Sequence, residues 1–296
     1  MSYNVRAMPV REGTIDSDGT AIHYLDWGGD GPPLILIHAT GFLAALWRPI
    51  AEQLAGRFRI VAMDQRGHGD SDKPPDGYRF EAFATDLQRL IEALELEGPL
   101  AAGHSSGGTT IAVHAAQHPG VVRRAVLIEP ILPRSEWFTQ ALAEHPGAHS
   151  SDRNPNSMAE GARKRRAVWP NREEIFQAYR SRPTFQTWRE DVLRLYVEEG
   201  TQAREDGQVE LKCPPAIEAQ FFDAVRGVDG GSLLAKLLCP TLLLWGGESH
   251  LHFGMSQDIE EALPHARTVV VPATTHFLPQ ERPDEVVRLM QEFLAD

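Results

Sequence analysis

The chain has 296 residues, 42% of them apolar and 24% charged, a make-up that suits a sizeable folded core with an ordinary solvated surface and excludes a disordered tail. Acidic residues exceed basic ones by 12, a balance that repels phosphate backbones and argues against nucleic acid as a partner. The first residues carry no apolar leader and no later run is long enough to span a bilayer, so no membrane is expected and the cytoplasm is the expected location.

In chain order, REGTIDSDGTAIHYLDW (11–27) reads as two strands around an Asp-Gly turn, an antiparallel hairpin. Short apolar runs follow: LILIH (34–38), RIVAMD (59–64), LAAGH (100–104), RAVLIEP (124–130), TLLLWG (241–246) and RTVVVPA (267–273). They do not alternate with polar residues, as befits strands covered on both faces. LAALWRPIAEQLA (43–55), FEAFATDLQRLIEALELE (80–97), SGGTTIAVHAAQH (106–118) and PDEVVRLMQEFLA (283–295) place apolar residues at helical spacing between or after them. Strand and helix in alternation predict an α/β fold, a mostly parallel sheet with helices on both faces.

The alternation stops between Pro133 and Gly231, where helical stretches are separated by Pro/Asn/Ser-rich breaks and no buried strand is evident. The expected organisation is a core of residues 1–132 and 232–296 with a helical cap, 133–231, inserted in it. Cys213 and Cys239 each precede a proline without metal-ligand spacing, and both read as structural. The basic run RKRR (163–166) reads as a solvated helix face.

GHSSG (103–107), after a buried strand and before an amphipathic helix, has the G-x-S-x-G pattern of a nucleophile elbow, in which a strained turn exposes the hydroxyl of Ser105. A serine hydroxyl needs a base. Of the 12 histidines, His276 follows the last strand at the carboxyl edge of the sheet, where it can reach Ser105. His38 reads as a loop-ordering residue, and His68, His114, His118 and His265 fit packing or solvated roles. The acid that orients the base is expected at Glu129, at the end of the strand after the elbow helix, with Glu248 as the alternative. Oxyanion donors are the backbone N–H groups of Ser106 and, in the turn HATGF (38–42), of Thr40.

With MDQRGHGDSDKP (63–74) and HFLPQERPDEV (276–286), these elements resemble the capped α/β-hydrolase superfamily over essentially the whole chain. The resemblance implies an eight-stranded, mostly parallel sheet with a lid after the sixth strand. Two departures stand out. The usual H-G-x oxyanion turn is His38-Ala39-Thr40, and the common G-x-x-D after the seventh strand is replaced by Gly246 followed three residues later by Ser249. The latter is similar to members, lactone hydrolases among them, whose acid is a glutamate after the sixth strand, and so favours Glu129. Serine at position 105 disfavours the epoxide hydrolases and haloalkane dehalogenases, whose chemistry needs a carboxylate nucleophile.

The expected activity is hydrolysis of a carboxylic ester or lactone, with no cofactor and no metal, on a small apolar or aromatic substrate. Alternatives are a carbon–carbon bond hydrolase or cofactor-free perhydrolase with the same triad, and a non-catalytic ligand-binding member of the fold. Trp188 and Trp169, among the cap's aromatics, are the expected substrate contacts. The sequence does not set the oligomeric state.

Overall fold

A computed structural model describes residues 10–132, 155–249, 263 and 266–295. β1 (Arg11–Ser17) and β2 (Thr20–Gly28) form the expected hairpin, and both turn residues take positive φ, Asp18 at 52° and Gly19 at 85°. That pair of left-handed residues matches the twist of the flanking strands. β3 (Pro33–Ile37), β4 (Arg59–Met63), β5 (Leu100–His104) and β6 (Arg124–Ile128) follow, separated by helices Arg48–Leu54, Phe80–Ala93 and Ser106–Gln117.

The segment after β6 contributes helices Pro155–Arg163, Arg172–Arg180, Pro183–Gln186, Glu190–Glu199 and Pro215–Ala224. It also holds β7 (Val168–Trp169), β8 (Thr201–Ala203) and β9 (Val209–Leu211), paired antiparallel in the order β7-β9-β8. This small sheet corrects the expectation of a purely helical insertion. Its strands are two or three residues long, too short to carry an alternating pattern. The expected boundary at 231/232 falls inside helix Gly230–Lys236, whose Leu234 joins the main core. Trp137 and Phe138, two of the aromatics of the expected cap, and His265, read from the sequence as packing or solvated, lie outside the described residues.

β10 (Thr241–Gly246) and β11 (Ala266–Val271) complete an eight-stranded sheet in the order β1-β2-β4-β3-β5-β6-β10-β11, in which only β1 and β2 run antiparallel to their neighbours. Alternate residues of the central strands feed separate cores: Ile35 and Ile37 enter one with Leu87 and Ile111, Leu34 and Leu36 the other with Leu54 and Val286. A sheet buried on both faces holds β5, β6 and β10 side by side, so the residues after them emerge at one edge. Among the described residues no helix is long and apolar enough to cross a membrane.

Candidate active site

Ser105 follows β5 directly and has φ 52°, ψ −117°, outside the regions an L-residue ordinarily occupies. Its N–H donates to the carbonyl of Ile128 in β6 (2.8 Å). The flanking glycines are required by close approach: a Cβ at Gly103 would lie 2.4 Å from the carbonyl carbon of Gly107, and one at Gly107 would lie 2.2 Å from the carbonyl oxygen of Ile37. Strand and helix therefore meet backbone to backbone, with Ser105 at the apex.

One strand over, Glu129 repeats the geometry at the end of β6, with φ 51° and its N–H on the carbonyl of Leu244 (2.9 Å). Its carboxylate is fully buried and accepts the N–H of Gly246 on Oε1 (2.6 Å), and the hydroxyl of Ser249 (2.6 Å) and Nδ1 of His276 (3.2 Å) on Oε2. Donating from Nδ1 to the carboxylate sets the tautomer, leaving the Nε2 lone pair at the opposite edge of the ring. Glu248, the alternative acid, is exposed; its backbone N–H joins the carbonyl of Thr274 (2.8 Å), and its carboxylate does not meet His276. The His276 loop is pinned by Glu281, which accepts the N–H (2.8 Å) and hydroxyl (2.6 Å) of Thr275. His104, the residue before Ser105, donates from Nε2 to the carbonyl of His276 (2.7 Å), their rings 5.0 Å apart. Burial, with the neighbouring His276 next, holds the His104 pKa well below the ordinary histidine range. A neutral ring with the proton on Nε2 therefore ties the His276 loop to the strand that leads into Ser105.

Residues 39–42 form a tight turn closed by the N–H of Phe42 on the carbonyl of Ala39 (3.1 Å), with Gly41 at φ 79°. The glycine missing from position 39 is unnecessary because the left-handed residue is Gly41, one step from Thr40. Among the described residues neither the N–H of Thr40 nor that of Ser106 donates to any acceptor. Two buried imidazoles hold the turn from the core side. His38 accepts the N–H of Gln65 on Nε2 (3.0 Å) and donates from Nδ1 to the carbonyl of Ala39 (2.8 Å). His68 accepts the N–H of Gly41 on Nε2 (2.9 Å). Burial depresses both, His68 to about 3, so each stays neutral and keeps its acceptor lone pair.

A family profile for the alpha/beta hydrolase fold matches residues 32–283. The chain belongs to the alpha/beta hydrolase fold family. This α/β-hydrolase is 41% identical over 120 residues to a non-heme chloroperoxidase of Streptomyces lividans, covering 40% of this chain and 44% of that protein. It is 37% identical over 273 residues to non-heme chloroperoxidase CPO-A1 of Kitasatospora aureofaciens, covering 88% and 90% of the two chains. The crystal structure of E-2-(acetamidomethylene)succinate hydrolase superposes with a TM-score of 0.81 at 24% identity, covering 97% of this chain and all of that one, a likeness of fold.

The cap of this α/β-hydrolase rests on the turn through one aromatic cluster. Trp188 is 2% exposed and packs on Phe42 (5.3 Å between ring centroids) and Phe277 (5.4 Å), the neighbours in sequence of Gly41 and His276. Its indole N–H is buried and, among the described residues, has no acceptor. Trp169 sits apart. Its N–H is taken by the carbonyl of Arg166 (3.0 Å), its ring meets Tyr179 and the guanidinium of Arg166, and it packs as cap core. The RKRR run is a solvated face only in part, because the Arg165 side chain is 13% exposed and ion-paired to Glu218 (2.7 Å). Its other amino group donates to the hydroxyls of Tyr179 (2.7 Å) and Tyr196 (2.8 Å). No periodicity marks Arg165 as different from its neighbours; its acceptors lie 14, 31 and 53 residues away.

Among the described residues one group of metal-ligating types, His23, Asp64 and Asp70, comes within 4.8 Å. Asp64 already accepts from His23 Nδ1 (2.8 Å), the N–H of Ala44 (2.6 Å) and the N–H of Asp70 (3.0 Å), while Asp70 is paired with Lys212 (2.6 Å). These bonds fasten the loop 64–71 to the short 3-10 turn Ala44–Trp47 and to β2, which carries His23.

Proposed function

We propose that this α/β-hydrolase cleaves a carboxylic ester or lactone through an acyl-enzyme on Ser105. The observation that carries the reading is the buried Glu129 carboxylate on Nδ1 of His276, with His276 tied through His104 to the strained elbow of Ser105. In this reading Nε2 of His276 takes the proton as Ser105 Oγ attacks the carbonyl carbon, and Glu129 stabilises the imidazolium. The N–H groups of Thr40 and Ser106 receive the oxyanion. Collapse of the tetrahedral intermediate expels the alcohol, protonated by His276. Water, deprotonated by the same ring, then frees the acid and restores the serine. Trp188, between Phe42 and Phe277, supports a small apolar or aromatic acyl group.

The full-length likeness to a non-heme chloroperoxidase favours a second reading, in which hydrogen peroxide replaces water in deacylation and the product is a peracid. The acyl-enzyme is common to both. The test is turnover of p-nitrophenyl esters of increasing chain length and a panel of lactones by wild type and Ser105→Ala, with and without peroxide, alongside fluorophosphonate labelling read by mass spectrometry. Turnover and label on Ser105, both lost in Ser105→Ala, are expected. A folded wild type with neither would point to a ligand-binding member of the fold.

A further inference from the structure

The cap grips the turn that presents Thr40. Tyr196, in helix Glu190–Glu199, donates its hydroxyl proton to the carbonyl of Gly41 at 2.8 Å, across 155 positions of sequence. The same oxygen accepts from Arg165 Nη2 (2.8 Å), which fills a lone pair and turns the proton toward Gly41. Arg165 is itself held by the Tyr179 hydroxyl (2.7 Å) and by Glu218 (2.7 Å), whose carboxylate lies so near Gly41 that a Cβ there would be 2.9 Å from Oε1. Burial keeps the Tyr196 phenol far from ionising, so it remains a donor.

The effect reaches Thr40 through two peptide planes. In a trans peptide the carbonyl and the N–H point in opposite directions, so fixing one aims the other. Tyr196 fixes the carbonyl of Gly41, and the N–H in that plane, on Phe42, donates to Ala39 (3.1 Å). The carbonyl of Ala39, also held by His38 Nδ1 (2.8 Å), shares its plane with the N–H of Thr40, which is thereby aimed away from both donors. The peptide between these two planes is fixed separately, by His68 on the N–H of Gly41 (2.9 Å). The turn is thus clamped by imidazoles from the core and by one phenol from the cap.

We infer that Tyr196, braced by Arg165, is a positioning residue through which the cap completes the aiming of the Thr40 amide at the oxyanion. The inference rests on the acyl-enzyme reading above, and the experiment separates the two. Tyr196→Phe removes one oxygen and keeps the packing on Phe42 (5.3 Å). Losing one oxyanion donor lowers kcat by about a hundredfold or more, so misaiming one predicts a fall of about tenfold or more in kcat, and in the fluorophosphonate labelling rate at Ser105, with KM within about twofold of wild type. Affinity for a boronic acid, which forms a tetrahedral adduct on the serine, falls in parallel with kcat/KM. A labelling rate within about twofold of wild type, or a loss confined to KM, overturns the inference while leaving the hydrolase reading intact. A wild type that does not label overturns both. Circular dichroism establishes folding; where Tyr196→Phe does not fold, Arg165→Lys, which keeps the charge beside Glu218 but not the planar fork to two hydroxyls, is measured under the same criteria.

Discussion

The hydroxyl of Ser249 donates to the same carboxylate oxygen of Glu129, Oε2, that receives His276 Nδ1. Position 249 is three residues after Gly246, where related enzymes commonly carry the acid, and here the place is filled by a hydrogen-bond donor to a carboxylate arriving from the neighbouring strand. The serine completes the solvation of a buried charge that also draws on the N–H of Gly246.

Glu129→Gln is expected to lower kcat by about a thousandfold or more, because an amide at this position no longer selects the tautomer or stabilises the imidazolium. Glu248→Gln is expected to leave kcat within about twofold, its carboxylate being exposed and not on the histidine. Steady-state kinetics on the two variants check this, and equal losses would reject the assignment of the acid.

Ser249→Asp in a Glu129→Ala background moves the carboxylate back to the commoner position. The Ser249 oxygen lies 2.6 Å from the one it would replace, so partial rescue of kcat, of about tenfold over Glu129→Ala alone, is expected. In the wild-type background the same Ser249→Asp change sets two carboxylates together, and the acid limb of the pH–rate profile is expected to rise.

Glycine substitutions of opposite sign probe the elbow. Gly107→Ala drives a methyl to 2.2 Å from the carbonyl oxygen of Ile37 and is expected to abolish folding or activity, whereas Gly161, in helix Pro155–Arg163, has nothing within 4 Å of the added carbon. Gly161→Ala is expected to stabilise the protein by about 0.5–1 kcal/mol in urea denaturation.

His38, His68, His104 and His114 are all held neutral by burial, His68 with a pKa of about 3 and His114 of about 4. Unfolded, each returns to about 6.5 and takes up a proton the folded chain refuses. Their contribution to stability is therefore full above pH 6.5 and falls as pH drops from there toward 4, by about 1.4 kcal/mol per pH unit for each ring kept neutral. His23, raised by its bond to Asp64 against the opposing effect of burial, contributes stability that is fully present below pH 6.5 and is lost as pH rises above it, so it leaves this acid-side fall unchanged. Urea denaturation across this range is expected to show the fall, and His68→Asn to make it shallower; a flat profile would contradict the neutral rings.

Arg165 and Glu218, partly buried with side chains 13% and 12% exposed, make a further test of stability. Glu218→Ala leaves a guanidinium without its counter-charge and is expected to cost about 3 kcal/mol, while Glu218→Gln, which keeps an acceptor, costs less. Denaturant titration of the two variants against wild type distinguishes them.

The parts of the site legible in the sequence are those fixed by local chain geometry. Ser105 lies in a five-residue turn between a strand and a helix, and Glu129 and His276 follow strands whose apolar runs mark where the sheet ends. What stayed hidden depends on distant partners. Tyr196 reads as one aromatic of a cap helix, and only Gly41, 155 residues earlier, gives its hydroxyl a task. Arg165 lies in a basic run whose charge density favours solvent, yet two phenols and a carboxylate from other segments draw that one side chain inward. Ser249 reads in the sequence as a departure from pattern, but its bond to Glu129 needs β6 and β10 side by side.

Ser105 and Glu129 end adjacent parallel strands with nearly the same left-handed φ, 52° and 51°. Such a conformation costs about 1–3 kcal/mol in a residue with a side chain and persists only where the surroundings enforce it. The two side chains on which the proposed acyl-enzyme chemistry depends are therefore mounted, side by side, on strained strand ends. Selection for heat resistance that ignored turnover would find its relief at these two strand ends, and the first variants it enriched would be the least active.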